Sequence, residues 1–153
     1  MMLSYWNDPQ RSAEAVVTLN GSDWFKTGDN VRQDTDGYFF YVGRTDDIIS
    51  SAGYRIGPQE VENALITHPA VQESAVVGLP DPERGEIVKA FVVLTQSDSQ
   101  RADTELVAEL QTHVKRTTAP YKYPRAIEFV DELPKTVSGK IQRNLLRQSS
   151  PNK

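Results

Sequence analysis

Apolar residues along this chain of 153 amino acids change their spacing several times, and each change predicts an element of secondary structure. Residues 24–26 and 30–32 are strand-like, residues 34–37 (Asp-Thr-Asp-Gly) suit a turn, and the aromatic run 38–42 is typical of a second strand. This pattern predicts a β-hairpin. Ahead of it, residues 12–17 carry only a weak signal for a short helix.

A clear helix is predicted to begin at Pro58, since proline is favoured at the first helical position. The apolar residues Val61, Ala64 and Leu65 then fall on one helical face. His68 precedes a proline, and a residue in that position disfavours helical backbone. The sequence therefore predicts a helix that packs one apolar face on a core and ends near His68.

Strands and a second helix follow. Residues 74–77 and 87–94 are strand-like, with the turn-rich segment 78–85 between them. The second of these runs is apolar at nearly every position, which is typical of a central strand covered on both faces. A capped helix with apolar residues at helical spacing is predicted over 103–118, and residues 126–130 suit another strand.

The chain ends with a loop rich in Pro, Lys and Gly, a short basic helix predicted to contain Ile141 and Leu145, and a polar tail through Pro151. The order β-α-β-β-α-β-α predicts an α+β fold, in which a small mixed sheet carries packed helices. The polar, charged stretch around Asp46 separates this part from the hairpin before it. We therefore expect a domain boundary at Asp46.

Composition narrows the class of protein. With 38% hydrophobic and 25% charged residues, the chain is typical of a globular protein of about one domain. The absence of cysteine excludes disulfides and thiolate metal sites. Two histidines, His68 and His113, leave little for a histidine metal centre, and both are expected at helix surfaces. No metal site is predicted.

Charge is unevenly distributed. Residues 1–109 hold 8 Lys and Arg against 18 Asp and Glu, whereas residues 110–153 hold 9 against 3, which gives −10 and +6. The basic end could face phosphates of a nucleotide or cofactor, or form a solvated helical surface. A net charge of −4 argues against binding of long nucleic acids. No apolar run is long enough for a membrane span, and the first residues lack a secretory pattern, so we expect a soluble, cytoplasmic protein.

Three segments carry residues suited to chemistry: 26–29 (Lys-Thr-Gly-Asp), 43–57 and 134–141. Taken singly, each has an ordinary explanation: a turn, a salt-bridged hairpin and a loop with a solvated lysine. The third contains Ser-Gly-Lys, but it lacks the earlier glycine and the following Ser or Thr of a phosphate-binding loop. It is therefore not a Walker motif.

The same segments also allow a nucleotide site. Asp29 can accept hydrogen bonds from ribose hydroxyls, and Arg44 and Arg55 can donate to phosphate or ribose oxygens. Lys140, on a glycine-containing loop at the predicted start of a helix, can bring a compact positive charge to an oxyanion that develops during a reaction.

In this order, the segments resemble the C-terminal third of the adenylate-forming enzymes, a superfamily of acyl-CoA synthetases, adenylation domains of peptide synthetases, and luciferases. The resemblance covers residues 5–147, and the runs 51–65 and 118–125 are most similar to medium-chain acyl-CoA synthetases. It implies a ligase that makes an acyl-adenylate and pyrophosphate from ATP and a carboxylic acid, and then acyl-CoA and AMP from CoA.

The resemblance also implies roles for single residues. Asp29 matches the ribose-binding aspartate of the family, Arg44 matches an arginine that contacts the nucleotide, and Arg55 is expected to contact phosphate in the adenylating state. Lys140 matches the lysine that bridges the carboxylate and the α-phosphate during adenylation. Positive charge there acts where negative charge accumulates in the transition state.

Two further positions concern a rotation between the half-reactions. Asp46 matches the hinge about which the C-terminal lid domain turns, so residues 1–45 would end the large N-terminal domain and residues 46–153 would form the lid. After rotation, Gly53 is expected to line the tunnel for the pantetheine arm of CoA, where a side chain would obstruct the thiol.

The resemblance places the remaining machinery outside this chain. The phosphate loop, the adenine and acid pockets and the Mg²⁺-binding glutamate belong to the large N-terminal domain, which is the expected partner. The chain alone is thus expected to be inactive in adenylation, as an expressed segment or the product of a truncated reading frame.

Two alternatives remain open: an adenylation domain that loads a carrier protein, and a stand-alone module that binds CoA or nucleotide and whose lysine is acylated. A eukaryotic protein of this family could also reside in the mitochondrial matrix.

Overall fold

The computed structural model of the protein describes residues 4–149, and the chain divides into two units between Asp46 and Asp47. The first unit has one short helix and two antiparallel hairpins. Its elements are α1 (Pro9–Glu14), β1 (Val16–Leu19), β2 (Ser22–Phe25), β3 (Asp29–Gln33) and β4 (Phe39–Arg44). Strand β1 pairs with β2, and β3 pairs with β4.

The second hairpin is the one that the aromatic pattern predicted, and its turn is stabilised by Asp34. The carboxylate of Asp34 accepts hydrogen bonds from the backbone N–H groups of Asp36 at 3.0 Å and Tyr38 at 2.9 Å. Gly37 adopts a φ of +89° in this turn, a backbone conformation that glycine adopts without steric cost. The prediction of a hairpin is confirmed.

The weak helix signal over residues 12–17 was misplaced. The helix begins earlier because Asp8 caps it, accepting a hydrogen bond from the N–H of Arg11 at 3.0 Å. Val16 and Val17 belong to strand β1 instead, as their β-branched side chains favour. Trp24 and Phe25 lie in β2 and so form part of this first hairpin.

The first unit leaves its apolar side chains exposed. Among its described residues only Gly43 is buried. The exposed large side chains include both tryptophans and the aromatic residues 38–41 at the start of β4 and just before it, with Trp6 96% and Tyr38 69% accessible. Two-stranded hairpins without a covered apolar face are marginally stable by themselves.

The second unit is a five-stranded sheet with three helices. Its elements are β5 (Ile49–Ser51), β6 (Tyr54–Ile56), α2 (Pro58–Ile66), β7 (Val71–Asp81), β8 (Gly85–Leu94), α3 (Thr104–Thr117), β9 (Ala126–Phe129) and α4 (Arg143–Gln148). The strand order is β6-β5-β8-β7, and β9 pairs with β8. The β8–β9 pair is parallel and the other pairs are antiparallel. The predicted α+β fold with a small mixed sheet is confirmed.

Strand β8 is central, as its continuous apolar run predicted. Alternate residues point to opposite faces of a strand, so Val88 and Val92 join one cluster of buried side chains while Phe91 and Val93 join another. Buried residues of α2 and α3 complete the first cluster. Leu146 of α4 and the loop residue Leu133 complete the second. The helices therefore cover both faces of the sheet.

Two predicted elements, a turn and the last helix, have different boundaries in the structure. The turn expected over 78–85 is shorter, because β7 continues to Asp81 and pairs with β8 as far as Gly85. At Gly78 an added Cβ would lie 2.6 Å from the Glu86 carboxylate, so this glycine serves close packing rather than a turn. The last helix begins at Arg143, and Ile141 precedes it in an isolated bridge with Lys135.

One of the two histidines also differs from expectation. His68 is buried at 6% exposure instead of lying at a helix surface. Its Nε2 lies 3.1 Å from Glu109 Oε1, and the N–H of Ala70 donates to its Nδ1 at 3.3 Å. His113 packs edge-on against His68, with ring centroids 5.1 Å apart. His68 therefore packs between α2 and α3 as a hydrogen-bonded core residue.

None of the helices in residues 4–149 has the length and apolar character that crossing a membrane requires.

Candidate functional site

In the first unit, Asp29, Arg44 and Asp46 lie together. Asp29 and Arg44 are opposite each other in the β3–β4 ladder, which brings Arg44 Nη1 to 3.4 Å from Asp29 Oδ1. Arg44 Nε lies 3.2 Å from Asp46 Oδ1, and Nη1 donates to the carbonyl of Thr27 at 2.7 Å. The negative charge of Asp46, followed by that of Asp29, raises the pKa of Arg44, so this side chain stays charged.

Gly28 leaves room for this arrangement. Its φ is +78°, and a Cβ at this position would lie 2.9 Å from Arg44 Nη2. Arg44 and Asp29 nevertheless remain partly exposed, at 46% and 36% of their side-chain areas. Salt bridges at such exposure are weak because water screens them, so a ligand can displace them at little cost. The cluster offers a fork-shaped donor beside a carboxylate acceptor.

In the second unit, Gly53 and Arg55 lie on the tight hairpin of β5 and β6. Ala52 and Gly53 form its turn with φ of +50° and +82°. A Cβ on Gly53 would meet nothing within 4 Å, so the turn leaves open space at its tip. The side chain of Arg55 is exposed and has no hydrogen-bond or ion-pair partner in residues 4–149.

Two features beside this hairpin were missed by sequence reasoning. Tyr54 stacks on Tyr121 with ring centroids 4.1 Å apart and an interplanar angle of 17°. The carbonyl of Arg84 accepts a hydrogen bond from the N–H of Ala52 at 2.9 Å, which places the β7–β8 turn against the hairpin tip. The Arg84 side chain, like that of Arg55, has no polar partner within the described range. The sequence did place Arg84, a basic residue, in the predicted turn between two strands, and this was the signal that could have marked it as a candidate.

Lys140 lies on a hydrogen-bonded loop that closes at the bridge between Lys135 and Ile141. The N–H of Thr136 donates to the carbonyl of Lys140 at 2.8 Å, and the N–H of Lys140 donates to Thr136 Oγ1 at 3.1 Å. Gly139, with φ of +81°, makes the reversal between them. The loop backbone is therefore well defined on both sides of Lys140.

The position of Lys140 corrects one expectation, because the loop ends in a bridge and α4 begins three residues later, at Arg143. Lys140 therefore precedes the helix and does not belong to its first turn. The side chain is exposed and makes no hydrogen bond or ion pair with any described residue. The expected site residues therefore form two groups: Asp29, Arg44 and Asp46 in the first unit, and Gly53, Arg55 and Lys140 in the second.

Residues 4–149 contain no group of three or more His, Cys, Asp or Glu side chains that could hold a metal ion.

Comparison with known proteins assigns this arrangement to a family. Residues 60–140 match the family described as "AMP-binding enzyme C-terminal domain". The chain is 59% identical over 143 residues to human "Acyl-coenzyme A synthetase ACSM5, mitochondrial". The aligned region covers 94% of this chain and 24% of that protein.

Solved structures give the same result. A crystal structure of Brucella canis acyl-CoA synthetase is 54% identical, with a TM-score of 0.66 and coverage of 86% of this chain and 24% of that one. The ATP-bound structure of MatB from Rhodopseudomonas palustris is 31% identical, with a TM-score of 0.81 and coverage of 96% and 28%. The chain spans about a quarter of the length of the curated relatives it matches.

Proposed function

The chain belongs to the family of AMP-binding enzyme C-terminal domains, and on this basis we propose that it is the mobile lid of an ATP-dependent acyl-CoA synthetase. The reaction joins a carboxylic acid to ATP, giving acyl-adenylate and pyrophosphate, and then transfers the acyl group to the thiol of CoA with release of AMP. The names of its relatives, which include acyl-coenzyme A synthetases, support this reaction class.

The observation that carries the proposal is the state of Lys140. Its backbone is held by two hydrogen bonds to Thr136, yet its ammonium is exposed and has no partner among the described residues. Long cationic side chains on a protein surface commonly pair with a carboxylate when one is near, as Lys135 does with Glu73 at 2.7 Å. A defined loop that presents a free cation suits a group acting on another molecule's oxyanion.

Lys140 would act in the first half-reaction. As the carboxylate attacks the α-phosphorus, negative charge builds on the phosphate oxygens, and a positioned ammonium that bridges the two anions stabilises that charge more than the separate reactants. Its charge also offsets the repulsion between the carboxylate and the phosphate. This lysine would have no comparable task once the adenylate has formed.

The cluster in the first unit would hold the nucleotide. Asp29 would accept hydrogen bonds from the ribose hydroxyls, and Arg44 would exchange its weak surface salt bridges for contacts to the nucleotide. The close contact between Arg44 and Asp46 supports a link between the nucleotide and the hinge at Asp46. We propose that rotation about this residue exchanges one face of the lid for the other.

The hairpin of β5 and β6 would serve the second half-reaction. The open space at Gly53 suits passage of the pantetheine arm, and the unpaired Arg55 and Arg84 beside it supply positive charge for phosphate groups. Arg55 would contact the nucleotide phosphate in the adenylating state. The two unpaired arginines thus extend the set of phosphate-binding candidates beyond those expected from the sequence.

The first unit supports a covalently joined partner. Its exposed tryptophans and aromatic strand have the character of a surface covered by further protein. We propose that residues 1–45 complete a large N-terminal domain, that residues 46–153 form the lid, and that any Mg²⁺ ligands lie in the large domain. The curated relatives are described as mitochondrial, which favours the mitochondrial matrix over the cytoplasm.

The test is to compare the chain alone with a polypeptide that joins it to the large domain of an acyl-CoA synthetase. Acid-dependent release of pyrophosphate from ATP and formation of acyl-CoA are measured for both. We expect activity from the joined polypeptide and none from the chain alone. Acyl-adenylate formation by the isolated chain, or no need for it in the joined enzyme, would contradict the proposal.

A further inference from the structure

One arginine ties three elements of the second unit together. Arg143 begins helix α4, and its Nη2 donates to both carboxylate oxygens of Glu62 on α2 at 2.8 and 2.9 Å. Its Nη1 lies 3.5 Å from Oδ2 of Asp47. Glu62 also accepts a hydrogen bond from the N–H of Val76 on β7 at 2.8 Å. Helix α2, strand β7, helix α4 and the residue that follows the proposed hinge thus meet at this side chain.

The network is largely removed from water. The exposed fraction of the side chain is 3% for Glu62, 14% for Asp47 and 19% for Arg143. Arg143 Nε is buried and has no hydrogen-bond partner within residues 4–149. Burying charges in this way carries a desolvation cost, and apolar side chains of similar size often give equal or higher stability. Stability alone therefore gives a weak reason for an arginine at this position.

The same arginine adjoins the base of the Lys140 loop. Gln142, its neighbour, donates from its backbone N–H to the carbonyl of Pro134 and from its side chain to the carbonyl of Lys135, both at 2.8 Å. The bridge between Lys135 and Ile141 lies directly beside these bonds. Both ends of the loop are thus fastened at residue 142. A shift of Arg143 would move this base and carry Lys140 with it.

Position matters for the chemistry proposed for Lys140. A displacement of a reacting or stabilising group by about 1 Å can slow an enzyme about 10²-fold. We propose that Arg143, held by Glu62 and Asp47, is a positioning residue that fixes the Lys140 loop for the adenylation half-reaction. This inference rests on the function proposed above. It assigns Arg143 no contact with substrate.

The test uses the enzyme in which this chain follows its large domain, and it measures the half-reactions separately. The first is acid-dependent pyrophosphate release, and the second is acyl-CoA formation from preformed acyl-adenylate. Arg143→Met should slow the first about 10- to 100-fold and leave the second within about twofold. A matched control is Arg101→Met, since Arg101 also pairs with two carboxylates, Asp98 at 3.2 Å and Glu109 at 2.8 Å, away from the loop. Both rates should stay unchanged in this control.

A second variant keeps the test valid if Arg143→Met fails to fold. Arg143→Lys keeps the positive charge but loses the fork whose Nη2 binds Glu62 and whose Nη1 lies beside Asp47, so it should show the same selective loss of the first half-reaction. Equal slowing of both half-reactions in the folded variants, or of neither, would overturn the positioning role. Lys140→Ala is measured in parallel. If it retains pyrophosphate release, the proposed function itself fails; if it loses that step while Arg143 variants behave like the control, only the inference about Arg143 fails.

Discussion

Replacing Glu62 with alanine removes the carboxylate at the centre of the second unit's buried network. Arg143 would lose two hydrogen bonds of 2.8 and 2.9 Å, and the N–H of Val76 would lose its acceptor at 2.8 Å. The guanidinium already contains one buried nitrogen without a partner, so it has little capacity to compensate. Asp47 would remain as its counter-ion, at 3.5 Å.

The expected cost follows from this burial. Removing one partner of a buried ion pair costs about 3–5 kcal/mol, because the other charge is left without compensation away from water. That is a large share of the roughly 5–15 kcal/mol that stabilises a typical domain. With a urea dependence of about 1–3 kcal/mol per molar, the unfolding midpoint of the second unit should fall by about 2 M.

The assay must report on the second unit. Trp6 and Trp24 are the two tryptophans of the chain, and both belong to the first unit, so tryptophan fluorescence would follow the wrong part. Far-ultraviolet circular dichroism follows helices α2, α3 and α4 instead. Glu60→Ala is the matched control on the same helix, since Glu60 is 49% exposed and pairs with Lys122 at the surface. Its cost should be about 0–1 kcal/mol.

Equal losses of stability for Glu62→Ala and Glu60→Ala would refute this reasoning. So would a Glu62→Ala chain that unfolds at the parent's urea concentration. Either result would mean that Arg143 finds other partners or water once the carboxylate is gone, and that the network does not fix the position of α4.

Two other predictions concern the hairpin tip and the behaviour in acid. Gly53→Val places a β-branched residue at φ +82°, and this backbone strain should lower the stability of the fold by about 1–3 kcal/mol. The variant should form acyl-CoA from preformed acyl-adenylate more slowly and release pyrophosphate at the parent's rate. Slowing of both half-reactions alike would argue against a thiol tunnel at this position. In the folded chain, the pKa of Glu109 is lowered first by a hydrogen bond from Arg101, and the pKa of Asp98 is lowered first by one from Ser97 and then by one from Arg101. A carboxylate whose pKa is lowered on folding stabilises the folded state at pH values above its ordinary pKa. It loses that contribution as the pH falls through the lowered pKa of the folded state. Thermal unfolding of Arg101→Met should therefore differ from the parent near neutral pH and converge with it in strong acid, and a difference that persists in acid would contradict this assignment.

Local patterns predicted the elements whose signals lie within one segment. Helix α2 has Pro58 at its first position and α3 has Asp103 as its cap, whose carboxylate accepts from the N–H of Leu106 at 2.9 Å. Strand β8 is apolar on both faces, and it pairs on both sides in the sheet. In each case neighbouring residues contain the information, so the periodicity suffices.

Features that depend on distant partners escaped the sequence. Strand β7 continues through Gly78 and Pro80, residues typical of turns, because β8 supplies a pairing strand along their whole length. The stack of Tyr54 on Tyr121 and the pairing of Glu62 with Arg143 join residues far apart in the chain. Their contact depends on how the elements pack, and neither composition nor the spacing of residues predicts that packing.

The candidate site was predicted in a similarly uneven way. The contact among Asp29, Arg44 and Asp46 follows from a hairpin that the aromatic pattern indicated. The loop that carries Lys140 was expected to open a helix, but it closes in a bridge instead, where Thr136 and Gln142 make hydrogen bonds across the loop.

The central claim is that Lys140 serves adenylation and only adenylation. Its most direct test is Lys140→Ala in the enzyme that joins this chain to its large domain, with both half-reactions measured on the same preparation. Loss of one positioned charge should slow pyrophosphate release about 10²- to 10³-fold and leave acyl-CoA formation from preformed acyl-adenylate unchanged. Unchanged pyrophosphate release, or equal loss of both half-reactions, would contradict the account.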